Sequence, residues 1–334
     1  MARYYVVGGR QKAGTDALSK EEWHHYGAGL IVSVDTATGS IEPVLEYVSP
    51  PEACAAGDDP SIVFKTATLK DGRFYVPTQT ELLIYDVPSF ERVGYVSLPA
   101  FNDVHHVTPN PNGAETLFVA NTGLDMVMEM KRDGAVVREW STAGEPLWSR
   151  FSRDVDYRKV VSTKPHKSHP NHVCFIDGEA WVSRCDQKDL FCLTSERAPV
   201  PIADRWIHDG LVRGNDVFFT AVNGQVITLD RPSMTVRRTT DLNRIAGRGP
   251  ESPLGWCRGI EVIDPDRVVV GFSRLRPTKW KEKVNWVKHK LGGSGVGLAP
   301  TRIAGFDLAA EKLLWEIDLE PVGMNVIFSI HAQP

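Results

Sequence analysis

Several familiar signals are missing from this chain. No two of its five cysteines (Cys54, Cys174, Cys185, Cys192, Cys257) stand as C-x-x-C, and there is no H-E-x-x-H. Neither a thiolate zinc knuckle nor a helix-borne zinc site is therefore encoded by a local motif. An odd, scattered set of cysteines reads as free thiols and predicts a cytoplasmic protein. Cys174 and Cys192 fall inside apolar runs, where cysteine is a small core residue. Long apolar runs are absent too: the opening "MARYYVVGGRQKAG" holds one too short for a signal-peptide core or a membrane span of about 20 residues. Nor is there a charge excess. With 38 Lys and Arg against 42 Asp and Glu, the formal charge is −4, so no global basic footprint points to nucleic acid.

What is present is ample core material, 42% hydrophobic residues, and a repeat. A turn with Gly, Asn or Asp leads into β-branched or aromatic residues and then a small or polar residue. The pattern recurs as "DGRFYVPT" (71–78), "GAETLFVANT" (113–122), "DGEAWVSR" (177–184), "GNDVFFTA" (214–221) and "DPDRVVVGF" (264–272). A strand-like run precedes each, a third run such as "TELLIYD" or "QVITLD" follows most, and a fourth such as "LLWEIDL" closes the unit. Four short strands repeated at intervals of roughly 36–41 residues are the mark of propeller blades. Five blades are complete. "GMNVIFSIHAQP" supplies a first strand, and "ARYYVVGG" with "LIVSVDTATGSIEPVLEYV" supplies three more, so the two ends of the sequence make a sixth blade. The fold class predicted is all-β: one six-bladed β-propeller over 1–334, four antiparallel strands per blade. A seventh blade in 142–168 is the rival, but that stretch lacks the run-turn-run pattern.

Three insertions break the spacing: 8–29, 142–168 and 273–300. In an up-and-down blade, the loop between strands two and three and the blade-to-blade connection emerge on one face, so these segments are expected to cap one end of the channel. Long loops gathered on a rigid scaffold are often functional. The innermost strands start from that same face. Their first residues read Lys65 and Thr66, His105 and His106, Asn171 and His172, His208 and Asp209, Arg258 and Glu261, Met324 and Asn325.

Of ten histidines, four sit at these starts, and His24, His25, His166, His169 and His289 sit in or directly beside the insertions; His331 is placed toward the far end. Polar groups in a propeller channel serve also as plain lining that bonds backbone and water. The sharper expectation is a divalent transition metal (Zn, Fe, Mn, Cu or Ni) on His106, His172 and His208, with an open position for water or substrate. Asp209, Asp103 or Glu261 is then a further ligand, an orienting group or the base. The same residues also allow metal-free work, with a His–carboxylate pair moving a proton. Arg258 and Lys65 would hold an anion, with His105, His169 and Asn325 as further substrate contacts.

The stretch "SRLRPTKWKEKVNWVKHKLGG" (273–293) places Trp280, Val284, Val287 and Leu291 at helical spacing among lysines and arginines. This predicts an amphipathic helix. It would pack its stripe on the rim, act as a basic lid drawing anions inward, or lie on a membrane surface.

The stretch "HHVTPNPNGAETLFVANTGLDMVMEM" resembles the broad six-bladed group of NHL-repeat, gluconolactonase-like and streptogramin-lyase-like propellers. The resemblance implies the fold across almost the whole chain. Gluconolactonase-like enzymes hold a divalent metal mainly with acidic and Asn ligands, whereas the strand starts here are His-rich, so that site does not carry over. Propeller lyases that use histidines and a metal are nearer in residue type. The leading expectation is a propeller enzyme acting on a small or medium anionic substrate by metal-assisted lyase or hydrolase chemistry. The alternatives are a non-catalytic ligand- or protein-binding propeller, and metal-free group transfer or isomerisation with a His base.

Overall fold

The computed structural model describes residues 2–12, 26–54, 60–113, 115–249, 252–275 and 299–334. Six four-stranded antiparallel sheets stand in a ring. In chain order they are built from β1 (Arg3–Gln11), β2 (Tyr26–Asp35) and β3 (Ser40–Tyr47); β4 (Thr68–Lys70), β5 (Arg73–Pro77), β6 (Leu82–Asp86) and β7 (Glu91–Val96); and β8 (Val104–Pro109), β9 (Thr116–Asn121), β10 (Met126–Lys131) and β11 (Val136–Ser141). Next come β12 (Pro170–Ile176), β13 (Glu179–Arg184), β14 (Asp189–Cys192) and β15 (Val200–Pro201), then β16 (Ile207–Arg213), β17 (Asp216–Ala221), β18 (Gln225–Asp230) and β19 (Thr235–Asp241). The last blade holds β20 (Trp256–Val262), β21 (Arg267–Ser273), β22 (Arg302–Asp307) and β23 (Lys312–Asp318), and β24 (Val326–Ala332) completes the first. The chain is a six-bladed β-propeller.

Local chemistry accounts for the blades. The Asp71–Gly72 and Asp177–Gly178 hairpin turns have both residues at positive φ (51 and 72°, 51 and 81°), the mirror-image turn whose twist matches that of the strands. Middle strands such as β9 and β17 are buried almost throughout, because each lies in a sheet covered on both faces by the neighbouring blades. The outer strand β23 alternates between exposed and half-covered residues, and β7 is exposed along most of its length. Core clusters span blade boundaries: Phe218 and Val226 of one blade pack with Phe272 and Phe306 of the next. Each such side chain, once fully buried, contributes about 1.5–3 kcal/mol.

The ring closes where β24 pairs with β1, Tyr4 opposite Ala332 and Val6 opposite Ile330. That seam depends on Gly8, where a Cβ would lie 1.8 Å from the carbonyl oxygen of Val326. Two of the expected strand starts lie ahead of the strands themselves: β24 begins at Val326, after Met324 and Asn325, and β4 begins at Thr68, after Lys65 and Thr66. Met324 is core. All five cysteines are buried, and none is joined in a disulfide.

Candidate functional site

The six inner strands run side by side along the channel, and their register sorts the side chains into tiers. Going down from the start of each strand, the first tier is Val63, Asp103, His169, Trp206, Trp256 and Val326, all lining one cavity of about 290 Å³. Two residues further on come Lys65, His105, His208, Arg258 and Phe328, lining the same cavity, with Asn171 in the sixth place. The next tier is only one residue on: Thr66, His106, His172, Asp209 and Ser329 line a second cavity, of about 400 Å³, and Gly259 fills the sixth place. A last step of two reaches Thr68, Thr108, Cys174, Leu211, Glu261 and His331, which line that second cavity too.

The single-residue step has a physical cause. A regular strand alternates its side chains, so adjacent residues face opposite ways. Bulges interrupt the pairing at one common depth: between Val104 and His106, Pro170 and His172, His208 and Leu211, Cys257 and Ile260, and beside Phe328 where β24 shifts against β1. A bulge sets two residues against one, so both members of each pair turn into the channel. One then belongs to the mouth cavity and the other to the opposite cavity.

This register corrects the expected metal trio. His208 lines the mouth cavity, whereas His106 and His172 line the opposite one. His106 and His172 stack face to face, with ring centroids 3.8 Å apart. Both nitrogens of His106 are also committed: Nδ1 accepts the Val173 N–H (3.0 Å), and Nε2 donates to Thr68 Oγ1 (3.1 Å), which in turn donates to the Val107 carbonyl. Among the described residues, no group of three His, Cys, Asp or Glu side chains is placed to hold a metal ion. His24, His25 and His289, and the part of the basic stretch from residue 276 on, with Trp280, Val284, Val287 and Leu291, lie outside the described residues.

The expected bases are displaced in the same way. Asp209 and Glu261 belong to the opposite cavity, apart from His208 and Arg258. Asp209 Oδ2 accepts from Thr220 Oγ1 (2.5 Å) and the Gly259 N–H (3.1 Å), a bond across a blade boundary. Burial raises its pKa to about 6. Gly259 makes that approach possible: its φ is +81°, and a Cβ there would come within 3.1 Å of Ser329 Cα. Glu261, also raised by burial, accepts from Arg213 (3.1 Å) and the Ala332 N–H (3.3 Å). Asn325 lines neither cavity; its side-chain oxygen accepts the Gln11 N–H at 2.8 Å.

What the structure does assemble is a cationic, imidazole-lined mouth. Lys65 Nζ pairs with Asp103 (3.0 Å) and lies 4.8 Å above the Phe328 ring. The Arg258 guanidinium lies 4.3 Å from the centre of the same ring. His208 Nδ1 accepts from Asn171 Nδ2 (2.8 Å), whose amide is oriented by the Ile207 carbonyl (2.9 Å). His208 Nε2 therefore carries the proton, and it faces Arg258 Nη2 at 3.3 Å. An anionic acceptor set against two such donors would bond to both.

His105 has the complementary tautomer. Its Nδ1 donates to the backbone carbonyl of Asp103 (2.9 Å), which leaves Nε2 as the ring's basic nitrogen. Burial, then the cations Lys65 and Arg258, hold its pKa well below the ordinary value against the pull of Asp103. His169 packs edge-on to His105, ring centroids 4.9 Å apart, and its Nδ1 lies 3.0 Å from Nδ1 of His166, so the two rings share a proton.

Two features of this mouth are invisible at strand starts. Lys164 and His166 reach it from the 142–168 connection. Asp125, in the αL conformation, gathers the backbone N–H groups of Lys167 and Ser168 (both 2.8 Å) and His169 (2.9 Å), with Arg150 as its ion-pair partner. Its pKa is lowered by these bonds in spite of burial.

No protein family matches the chain, and no curated protein matches it in sequence. Solved structures do match in shape. A protein of unknown function from Bacteroides caccae aligns over 99% of both chains with TM-score 0.64 at 12% identity. A functionally unknown protein from Desulfotomaculum acetoxidans covers 98% of this chain and 88% of its own, with TM-score 0.50 at 10% identity. The β-propeller domain of Myceliophteria thermophila Cps50 (Swd1) covers 88% of this chain and 81% of its own, with TM-score 0.50 at 9% identity. At such identities the likeness is one of fold, and function has to be argued from the site. No helix among the described residues is long and apolar enough to cross a membrane.

Proposed function

We propose that the mouth cavity binds a small organic anion and acts on it by lyase- or hydrolase-type proton transfer, with His105 as the acceptor. The observation that carries this reading is that Lys65, Arg258 and the Nε2–H of His208 line one cavity together with His105, whose basic nitrogen is Nε2. Its volume of about 290 Å³ is at the lower end of small-molecule sites. An anion between the cations offsets their field, which raises the basicity of His105 when the ligand is in place. Lys65 and Arg258 then stabilise the charge left by proton removal from carbon or water. His169 and His166 supply a second imidazole route for a proton.

The test is calorimetry with inorganic phosphate and simple carboxylates, together with a turnover screen on carboxylate and ester libraries. Arg258→Ala is expected to abolish binding. His105→Gln is expected to keep binding and abolish turnover. Binding without turnover of any anion by the wild-type chain would instead establish the non-catalytic ligand-binding alternative.

A further inference from the structure

We infer that the ligand of the mouth cavity is an anion carried on a flat aromatic ring, with the ring seated on Trp206 and Trp256. This rests on the anion site proposed above and adds the class of molecule to it. Trp206 precedes β16 and Trp256 opens β20, so each stands two residues before a polar member of the next tier, His208 and Arg258. Both indoles line the same cavity as those residues. The ring centroids are 6.3 Å apart and inclined at 45°, and Trp206 is 46% exposed. An indole left nearly half bare at the rim of a cavity is an apolar face awaiting a partner.

The register supplies the length of the ligand. Two residues along a strand span about 6.5–7 Å, which sets the backbone spacing between the aromatic tier and the cationic one. A six-membered ring with an anionic group attached directly or through one atom fills that interval. A bare inorganic anion reaches only the lower tier. A longer aliphatic acid would meet the indoles without the stacked contact that a planar ring makes with them.

The experiment uses inorganic phosphate, phenyl phosphate and glucose 6-phosphate, titrated into the intact protein by calorimetry. Phenyl phosphate is expected to bind about three- to tenfold more tightly than inorganic phosphate, the range of one aromatic contact. Trp206→Ala should erase that gain and leave inorganic phosphate unchanged, while Trp206→Phe should retain most of it. Arg258→Ala should weaken all three probes. Trp256→Phe serves as the milder second variant, and melting curves confirm that each variant folds. Equal affinity for phenyl and inorganic phosphate, or a gain that survives Trp206→Ala, would overturn the aromatic assignment while leaving the anion site standing. A gain with glucose 6-phosphate alone would replace it by a sugar platform. No binding of any probe to the wild type would remove the anion site and this inference together.

Discussion

Val173 gives its backbone N–H to Nδ1 of His106 across the boundary between two blades, at 3.0 Å. That bond, with the one from Nε2 to Thr68 (3.1 Å), makes His106 a fastener and removes it from the chemistry. Replacing it with Ala leaves a buried N–H unsatisfied, at a cost of about 1–3 kcal/mol. The expected result is a lower unfolding free energy in denaturant with anion affinity at the mouth unchanged. Loss of mouth binding in a folded His106→Ala protein would contradict the separation of the two cavities.

Acid should weaken the fold more steeply than a single titrating group can. Burial depresses His105, His106, His169, His172, His208 and His331, three of them (His169, His172 and His331) to about 3. A histidine held below its ordinary value of 6.5 is neutral in the fold but takes up a proton when unfolded. Its contribution is therefore complete above about pH 6.5 and drains away as pH falls. Asp209, raised from 3.8 to about 6, acts with the opposite sign between those values, and Glu261 shares its direction. The histidines outnumber them. Unfolding free energy measured from pH 7 to 5 should fall by more than about 1.4 kcal/mol per pH unit, the limit for one proton. A flat profile would contradict the enclosed, neutral imidazoles.

Much of this was legible in the chain itself. Run-turn-run repeats located five blades, and the unmatched runs at 2–9 and 323–334 predicted the closing pair that β1 and β24 form. The polar pairs at strand starts were also visible, from Lys65–Thr66 to His208–Asp209. Their division was not. A bulge is set by backbone angles at one or two residues, such as Asp209 at φ +63° and Gly210 at +157°, and it leaves no period in the sequence. Neighbouring histidines therefore read as one cluster when they serve two cavities. Glu261 was read three residues too early for the same reason, since a strand carries a residue about 10 Å in three steps.

Lys65 and Asp103 should behave as a unit. Both are almost fully buried, with Nζ and Oδ1 3.0 Å apart, and the lysine holds the carboxylate well below its usual range against strong desolvation. Lys65→Met strands a buried charge and should cost about 3–5 kcal/mol. The double variant Lys65→Met/Asp103→Asn should recover much of that loss. A double-mutant cycle by denaturant unfolding measures the coupling, and additive losses would refute it.

Asp125 is expected to act on the site at one remove. Asp125→Asn loses the charge that gathers three backbone N–H groups and Arg150 around the loop bearing His166 and His169. Amide exchange at 167–169 should rise, and anion affinity should fall several-fold, while strand protection stays as it was. Unchanged exchange at these three amides would show that the loop holds itself.

At the closing seam, Gly8→Ala places a methyl group against the Val326 carbonyl. Overpacking of this kind costs about 1–3 kcal/mol, read as a lower melting temperature. No comparable loss should follow Gly249→Ser, where open space surrounds the position and the backbone is outside the left-handed region.

The bulges give the scaffold an unusual freedom. Because chain neighbours such as His105 and His106 answer to different ends of the molecule, the residue that faces the ligand can be exchanged while the one beside it goes on clasping the ring. A lineage built on such a frame can trade one substrate for another by point changes in a single storey, without renegotiating the joints that keep its blades together.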